Sequence, residues 1–420
     1  MKISSVLFKI EPDELKAALL SFVFVFILMA SYYMMKPVRD ALPSDWGDVS
    51  LAQQWTITFI VSTIAVSIYN FAASIFSLKR LVPAVFIFFA ISFLAIFIDF
   101  KNGRSVLVLG KVYYVWSSVF SLFHISVFWS FVSQLYTKEE SKRLFAFINT
   151  GASVGAIFGA WLVSQFSNSI NEENILLIAS GSLLLTLPLI HLLNKESAKR
   201  GKGAVTEVKL SPNPFSGFQE FITHKRLLGI ASFIFVFTGV SAFLYSIQTD
   251  LLVDYSRTER KELLGRVELV TSLSTVLLGI FIANRLSLKF GLRISLGIVP
   301  LVVSLLLFLL SMNPAIMLVL VLQVVRRSGN YAITRPSREI LFTAVDKEAR
   351  FKTKPIIDVA IYRGGDVFWI WIIALLGDGW LHLGLTQLLY VGAAVSLLLA
   401  VIGYLLGKSH EIEEKTLLEP

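Results

Sequence analysis

Cysteine is absent from all 420 residues. That excludes disulfides, thiol nucleophiles and Cys-ligated metals. Charge is scarce: 16% of residues are Asp, Glu, Lys or Arg, where a soluble chain carries roughly 25%. The few histidines are scattered, without the spacing of a metal site. There is no Walker lysine–threonine pattern, which argues against P-loop ATP hydrolysis. No nucleophile–base pair points to an enzyme, and no cofactor or metal is expected. The opening MKISSVLFKIEPDELKAALL lacks the order of a signal peptide. Glu11, Asp13 and Glu14 interrupt it, and no small-residue cleavage site follows the apolar run. It reads as an uncleaved cytoplasmic start.

What is abundant is apolar. The chain is 55% hydrophobic with a mean hydropathy of +0.72. Its apolar runs persist for about 20 residues instead of alternating, which selects membrane-spanning helices over barrel strands. Twelve spans are expected, at 17–40, 53–76, 81–100, 106–135, 144–166, 175–193, 227–252, 264–286, 292–311, 314–342, 354–377 and 383–406. The polar segment 195–226 divides them six and six. The expected organisation is a first six-helix bundle at 1–194, a cytoplasmic linker at 195–226 and a second bundle with a cytoplasmic tail at 227–420. With the start placed inside, most loop Lys and Arg fall on the cytoplasmic side. The exceptions are Arg39, Lys101, Arg104, Arg257, Arg260, Lys261 and Arg266. The positive-inside rule therefore puts both termini in the cytoplasm.

The two halves repeat. TKEESKRLFAFINTGASVG (137–155) aligns with DKEARFKTKPIIDVAIYRG (346–364) at a constant offset of 209. Lys138 meets Lys347, Glu139 meets Glu348, Ile148 meets Ile357 and Gly155 meets Gly364. SLK also recurs at 77–79 and 287–289. Two parallel six-helix repeats resemble the architecture of major facilitator transporters. NRLSLKFGLR (284–293) is similar to a weakened form of their gating loop, and its counterpart SIFSLKR has lost most of that pattern.

Several charges fall inside the spans, where each costs around 2.5–3.5 kcal/mol at a helix centre. Lys36 and Arg39 share a helix face, and Asp40 lies four residues from Lys36. They bind something, or they snorkel at the exit of the first span with Asp40 as local partner. Arg326 and Arg327 sit mid-span, followed by Asn330, Tyr331, Arg335 and Arg338. Pro336 should loosen the backbone near Ala332. These arginines bind a ligand, or Glu339, Asp358 and Asp366 neutralise them. Arg363 and Asp366 are three apart beside Gly364 and Gly365, as a binding pair or a structural one. Lys111 precedes Tyr113, Tyr114, Trp116, Phe120, Phe123, His124 and Trp129. Those rings stack a planar ligand or simply pack, and His124 alone suits a hydrogen-bonded interior position. Gly151, Gly155 and Gly159 have the spacing of close helix packing. Summed over spans 1, 4, 10 and 11, bases outnumber acids, as expected for an electropositive cavity at the repeat interface that takes an anion. Lys36, Arg39, Lys111, Arg326, Arg327 and Arg363 are the candidate anion ligands. Asp40, Glu339, Asp358 and Asp366 are the candidate coupling acids.

Three stretches carry a resemblance over most of the chain. FWSFVSQLYTKEESKRLFAFINTGASVGAIFGAW (128–161), RPSREILFTAVDKEARFKTKPIIDVAIYRGGD (335–366) and KPVRDAL (36–42) resemble the bacterial and plastid ATP/ADP translocases. The resemblance implies a major facilitator fold, exchange or import of nucleotides, and basic cavity residues for the phosphates. By motif, Arg39 stands where that family usually has lysine, and Lys36 stands at its arginine. Arg363 matches a lysine, Lys354 and Asp358 match a K-A-A-I-D-V stretch, and Arg335 and Glu339 fall on a P-x-K-E region. The chain departs from the family at YYVWSS (113–118), which has no acid before its tryptophan. A second acid, expected after span 7, has only Gln248 or Asp250 as candidates. The expectation is a monomeric secondary transporter in a bacterial cytoplasmic (inner) membrane. Its substrate would be a phosphorylated anion such as a nucleotide, with no nucleic-acid partner. The alternative is a proton-coupled importer of another organic anion, a metal chelate or a carboxylated metabolite.

Overall fold

The structure, a computed structural model, describes residues 10–103, 105–167, 169, 171–199, 225–342, 345, 353 and 356–418. Among these the regular structure is entirely helical. The first half forms α1 (Leu15–Ala41), α2 (Asp48–Ile75), α3 (Leu78–Lys101), α4 (Val106–Val132), α5 (Lys138–Phe166) and α6 (Glu172–Lys199). The second half begins with α7 (Lys225–Leu251) and α8 (Arg257–Leu278). A π turn at Gly279–Ala283 leads from α8 into α9 (Asn284–Met312). The next helix, α10, runs Ile316–Gly329, widens into a π turn at Asn330–Thr334 and finishes at Arg335–Leu341. Then α11 has π turns at Ile356–Ile361 and Leu375–Gly379 around Tyr362–Ala374, and α12 runs Leu385–Leu418. Among the described residues, eleven helices are long and apolar enough to cross a membrane. The remaining one, α11, has only 13 residues of α-helix between its π turns.

Helix starts in the two halves keep the repeat. Leu15, Asp48 and Val106 correspond to Lys225, Arg257 and Ile316, within a residue of the sequence offset. The widened turn in α10 lies where Pro336 was expected to loosen the backbone. A proline lacks the N–H that its i−4 carbonyl would accept, and Pro336 sits just after the turn.

Two boundaries differ from the hydropathy reading. The eighth span was expected to open at 264, yet α8 opens at Arg257. The cause is a reciprocal cap: Ser256 N–H donates to Glu259 Oε2 at 2.8 Å, and Glu259 N–H donates to Ser256 Oγ at 3.4 Å. Arg260 and Lys261, expected in an outside loop, are consequently helical and buried. A matching box, Thr137 with Glu140, opens α5. The twelfth span was expected to end near 406, and α12 continues to Leu418. Most of the linker expected at 195–226 lies outside the described residues, as does Lys354.

The chain forms two compact units. One comprises 1–42, 60–209 and 256–269; the other comprises 43–59, 210–255 and 270–420. Each thus contains one repeat less the start of its second helix, plus the corresponding start from the other repeat. In the first unit α1 is central, packing on α4, α5 and α6. Phe24 meets Phe86 and Phe128 edge-on. The small-residue stripe of α5 lies against the α1 backbone: Gly151, Gly155 and Gly159 abut the carbonyls of Phe22, Phe26 and Ala30. In the second unit α7 packs on α11 and α12, and α9 packs on α12. Gly291, at φ +79°, breaks α9 where the chain turns out of α8. Glu411 fills the space where a side chain would start there. Ile60, Ile64, Ile68, Phe71 and Ile75 form an exposed stripe on α2, as expected of a face in contact with lipid.

Candidate functional site

The first unit gathers charge at the end of α1. Lys36 Nζ donates to Asp40 Oδ2 at 3.0 Å and also pairs with Glu268 of α8. Arg39 Nε donates to Asp40 Oδ1 at 2.8 Å. Arg39 Nη1 reaches Ser118 Oγ at 3.5 Å, and its guanidinium lies 5.9 Å above the Tyr114 ring. All four charged side chains are largely buried, Glu268 at 3% exposure most of all. Two cations face two anions here, and buried Arg260 of α8 donates to the neighbouring Ala41 carbonyl at 3.5 Å. Helical spacing puts Lys111 on the α4 face that carries Tyr114 and Ser118.

The second unit holds a different kind of cluster. Arg326 Nη1 donates to Ser241 Oγ at 2.7 Å, and Nη2 donates to Gln323 Oε1 at 2.9 Å. Its Nε is buried without a partner. Both acceptors are neutral. Arg363 Nη1 stands 3.8 Å from Asp366 Oδ2, a loose pair on α11. Arg326, Arg363, Asp366, Tyr331 and Tyr362 lie within electrostatic reach of one another. Arg327, adjacent in sequence, adds a like charge. Among the described side chains of this cluster, positive charge exceeds negative. The second unit also contains a cavity of about 430 Å³ lined by Asp48, Asp250, Asp378 and His382. Buried Asp48 accepts from Ser246 Oγ at 2.7 Å there. Among the described residues no group of three His, Asp or Glu is arranged to hold a metal ion.

The family model described as Major Facilitator Superfamily matches residues 18–337, well over half the chain. The chain belongs to the Major Facilitator Superfamily. No curated protein matches it. Among solved structures, the nucleoside transporter NupG superposes with a TM-score of 0.66 at 14% identity, covering 94% of this chain and 99% of that one. A POT family transporter in complex with 5-aminolevulinic acid gives 0.66 at 12% identity, covering 94% and 96%. The xylose transporter XylE from E. coli gives 0.62 at 11% identity, covering 93% and 95%. At such identities these likenesses establish the fold. The superfamily scaffold makes this a multi-pass membrane transporter; the narrower ATP/ADP translocase resemblance is not reproduced by these matches.

Each unit gathers some of the candidate residues. Lys36, Arg39 and Asp40 come together with Glu268. Arg326, Arg363 and Asp366 come together with Ser241, Gln323 and Tyr362. Glu339 lies 3.7 Å from Arg338 and is 39% exposed. The side chain of Asp358 lies outside the described residues. The aromatic train after Lys111 is largely internal: Phe120 packs on Phe89 and Phe93, and Trp116 Nε1 donates to Ser92 Oγ at 2.6 Å. His124 stacks on Tyr32 with centroids 4.5 Å apart. Gly365 abuts Thr238 and Phe235 of α7, while Gly364 faces open space. Glu268 gave no sequence signal as a partner of Lys36, because composition does not show which side of α8 faces α1. Ser241 and Gln323 gave no sequence signal, since their roles come from pairing α7 with α10.

Proposed function

We propose that the protein is a secondary active transporter of a phosphorylated anion, most simply a nucleotide such as ATP or ADP moved by exchange. Alternating access within a bacterial cytoplasmic membrane would carry it, with both termini inside. The observation that carries this reading is Arg326: a half-buried arginine whose Nε is buried without a partner and whose two hydrogen-bond acceptors are neutral. A desolvated cation is costly without a counter-charge. In a transporter the solute is the natural supplier. Guanidinium groups match phosphate oxygens in pairs and keep their charge at any physiological pH. Arg327 and Arg363 reinforce the preference for more than one negative charge. The likeness to a nucleoside transporter is compatible with a nucleotide and adds nothing beyond fold at 14% identity.

Within the first unit, Lys36, Arg39 and Lys111 are the further candidate anion ligands. Lys36 and Arg39 are occupied by Asp40 and Glu268, so they become available to phosphate when those acids let go. The same logic applies to Arg363 and Asp366. Such partner exchange would couple binding to the conformational step.

The test is uptake of labelled ATP into proteoliposomes loaded with ADP. Charge-assisted hydrogen bonds contribute about 1.5–3 kcal/mol each. Arg326→Ala should therefore cut exchange by at least about 10-fold, and Arg326→Lys by less. Wild-type vesicles that take up no nucleotide would overturn the substrate assignment. Undiminished exchange by Arg326→Ala would overturn the site.

A further inference from the structure

Arginine inside a membrane protein usually pairs with a carboxylate or a carbonyl, or faces water. Arg326 is held instead by a hydroxyl and a side-chain amide, and neither acceptor is free to turn away. Ser241 Oγ donates its own proton to the Phe237 carbonyl at 3.1 Å, so a lone pair is left facing Arg326 Nη1. Gln323 Nε2 donates to the Leu244 carbonyl at 3.3 Å. That bond fixes the amide with its oxygen, not its nitrogen, toward Arg326 Nη2. Phe237, Ser241 and Leu244 lie at i, i+4 and i+7, along one face of α7. Gln323 and Arg326 are three apart on α10. The α7 backbone thus anchors both arms of the guanidinium through two intermediaries that carry no charge.

We propose that Ser241 and Gln323 are positioning residues that hold the Arg326 fork in place without neutralising it, leaving its charge to the oxyanion of the substrate. This rests on the reading of Arg326 as the seat of the anion. One N–H on each terminal nitrogen is taken by these acceptors, and one on each remains. Two remaining donors suit two oxygens of a single tetrahedral oxyanion. The neutrality of the acceptors is the essential part. A carboxylate in place of Gln323 would stand beside Nη2 permanently, and every arriving phosphate would have to compete with it.

The experiment uses the purified full chain with inorganic phosphate and ADP as probes. Binding is read by calorimetry, and KM and kcat by exchange in vesicles. Gln323→Glu is nearly isosteric and supplies the internal counter-ion. It should weaken both probes by about 10-fold or more and raise KM far more than it lowers kcat. Ser241→Ala removes one acceptor and should weaken binding by about 10-fold, while Ser241→Thr keeps the hydroxyl and should restore it. A merely structural Arg326 predicts the reverse for Gln323→Glu: unchanged or tighter packing and unchanged KM. If Gln323→Glu does not purify as a folded protein, the Ser241→Ala and Ser241→Thr pair decides alone. If the wild type binds a probe and the Ala and Glu variants bind it within twofold, the positioning role is wrong, and the anion seat still stands or falls on Arg326→Ala. If the wild type binds neither probe, the function reading and this inference are both wrong.

Discussion

Gly155→Ala tests how closely α1 and α5 approach. A methyl added at Gly155 would lie 3.0 Å from the carbonyl carbon and the Cα of Phe26, with the carbonyl oxygen nearer still. Carbon–carbon contacts settle at about 3.5–4.0 Å, so α5 must retreat by about 0.5–1 Å or shift along its axis. Gly151 and Gly159 touch the same backbone one turn away on each side, so the retreat opens gaps there too. Overpacking of this kind costs about 1–3 kcal/mol. Against it stands about 0.5–1 kcal/mol gained by replacing glycine in a helix interior. The net expectation is a loss of about 0.5–2 kcal/mol. The assay is the fraction of detergent-solubilised protein that stays monodisperse after heating, as a function of temperature. Gly181→Ala on α6 is the control, because a methyl there meets nothing within 4 Å; it should be neutral or slightly stabilising. If Gly155→Ala survives heating as well as Gly181→Ala does, the close approach is not what holds α1 to α5.

Three further outcomes are expected. Lys36→Glu or Glu268→Lys alone should abolish exchange and lower thermal stability, since disrupting a buried pair costs about 3–5 kcal/mol; the double exchange should recover part of both, and no recovery would mean that the pair does not act as a unit. Gly291→Ala should destabilise the α8–α9 turn, whose φ of +79° only glycine adopts freely. Glu411→Ala should relieve the steric part of that loss, so a double-mutant cycle in thermal unfolding should be non-additive. Thr137→Ala should cost about 1 kcal/mol by removing the cap of α5, read as a fall of a few degrees in the same heating assay with the exchange KM unchanged.

Much of the fold was legible. Hydropathy alone located the described membrane-spanning helices, because lipid leaves a helical backbone few alternatives. The capping boxes were present in the letters TKEE and SRTE, and reading SRTE would have started α8 seven residues earlier. Pro336 marked the widened turn of α10, and the glycine spacing on α5 marked its packing face. The charged candidates were legible as residues but not as partners. Lys36 and Asp40 announce each other at i and i+4; Glu268, 232 residues away, announces nothing. Asp250, a candidate for the second acid, lines a cavity with Asp48 and Asp378.

The sequence by itself determined the membrane class, the helix count, the twofold repeat and the excess of positive charge within the spans. Each follows from local composition or periodicity, which one chain segment carries alone. Only the tertiary structure decided which charges meet an opposite charge. It paired Lys36 and Arg39 with Asp40 and Glu268, and it left Arg326 between a serine and a glutamine. Whether a buried charge is satisfied depends on groups a few ångströms away in space and tens to hundreds of residues away in sequence, and no local pattern records them.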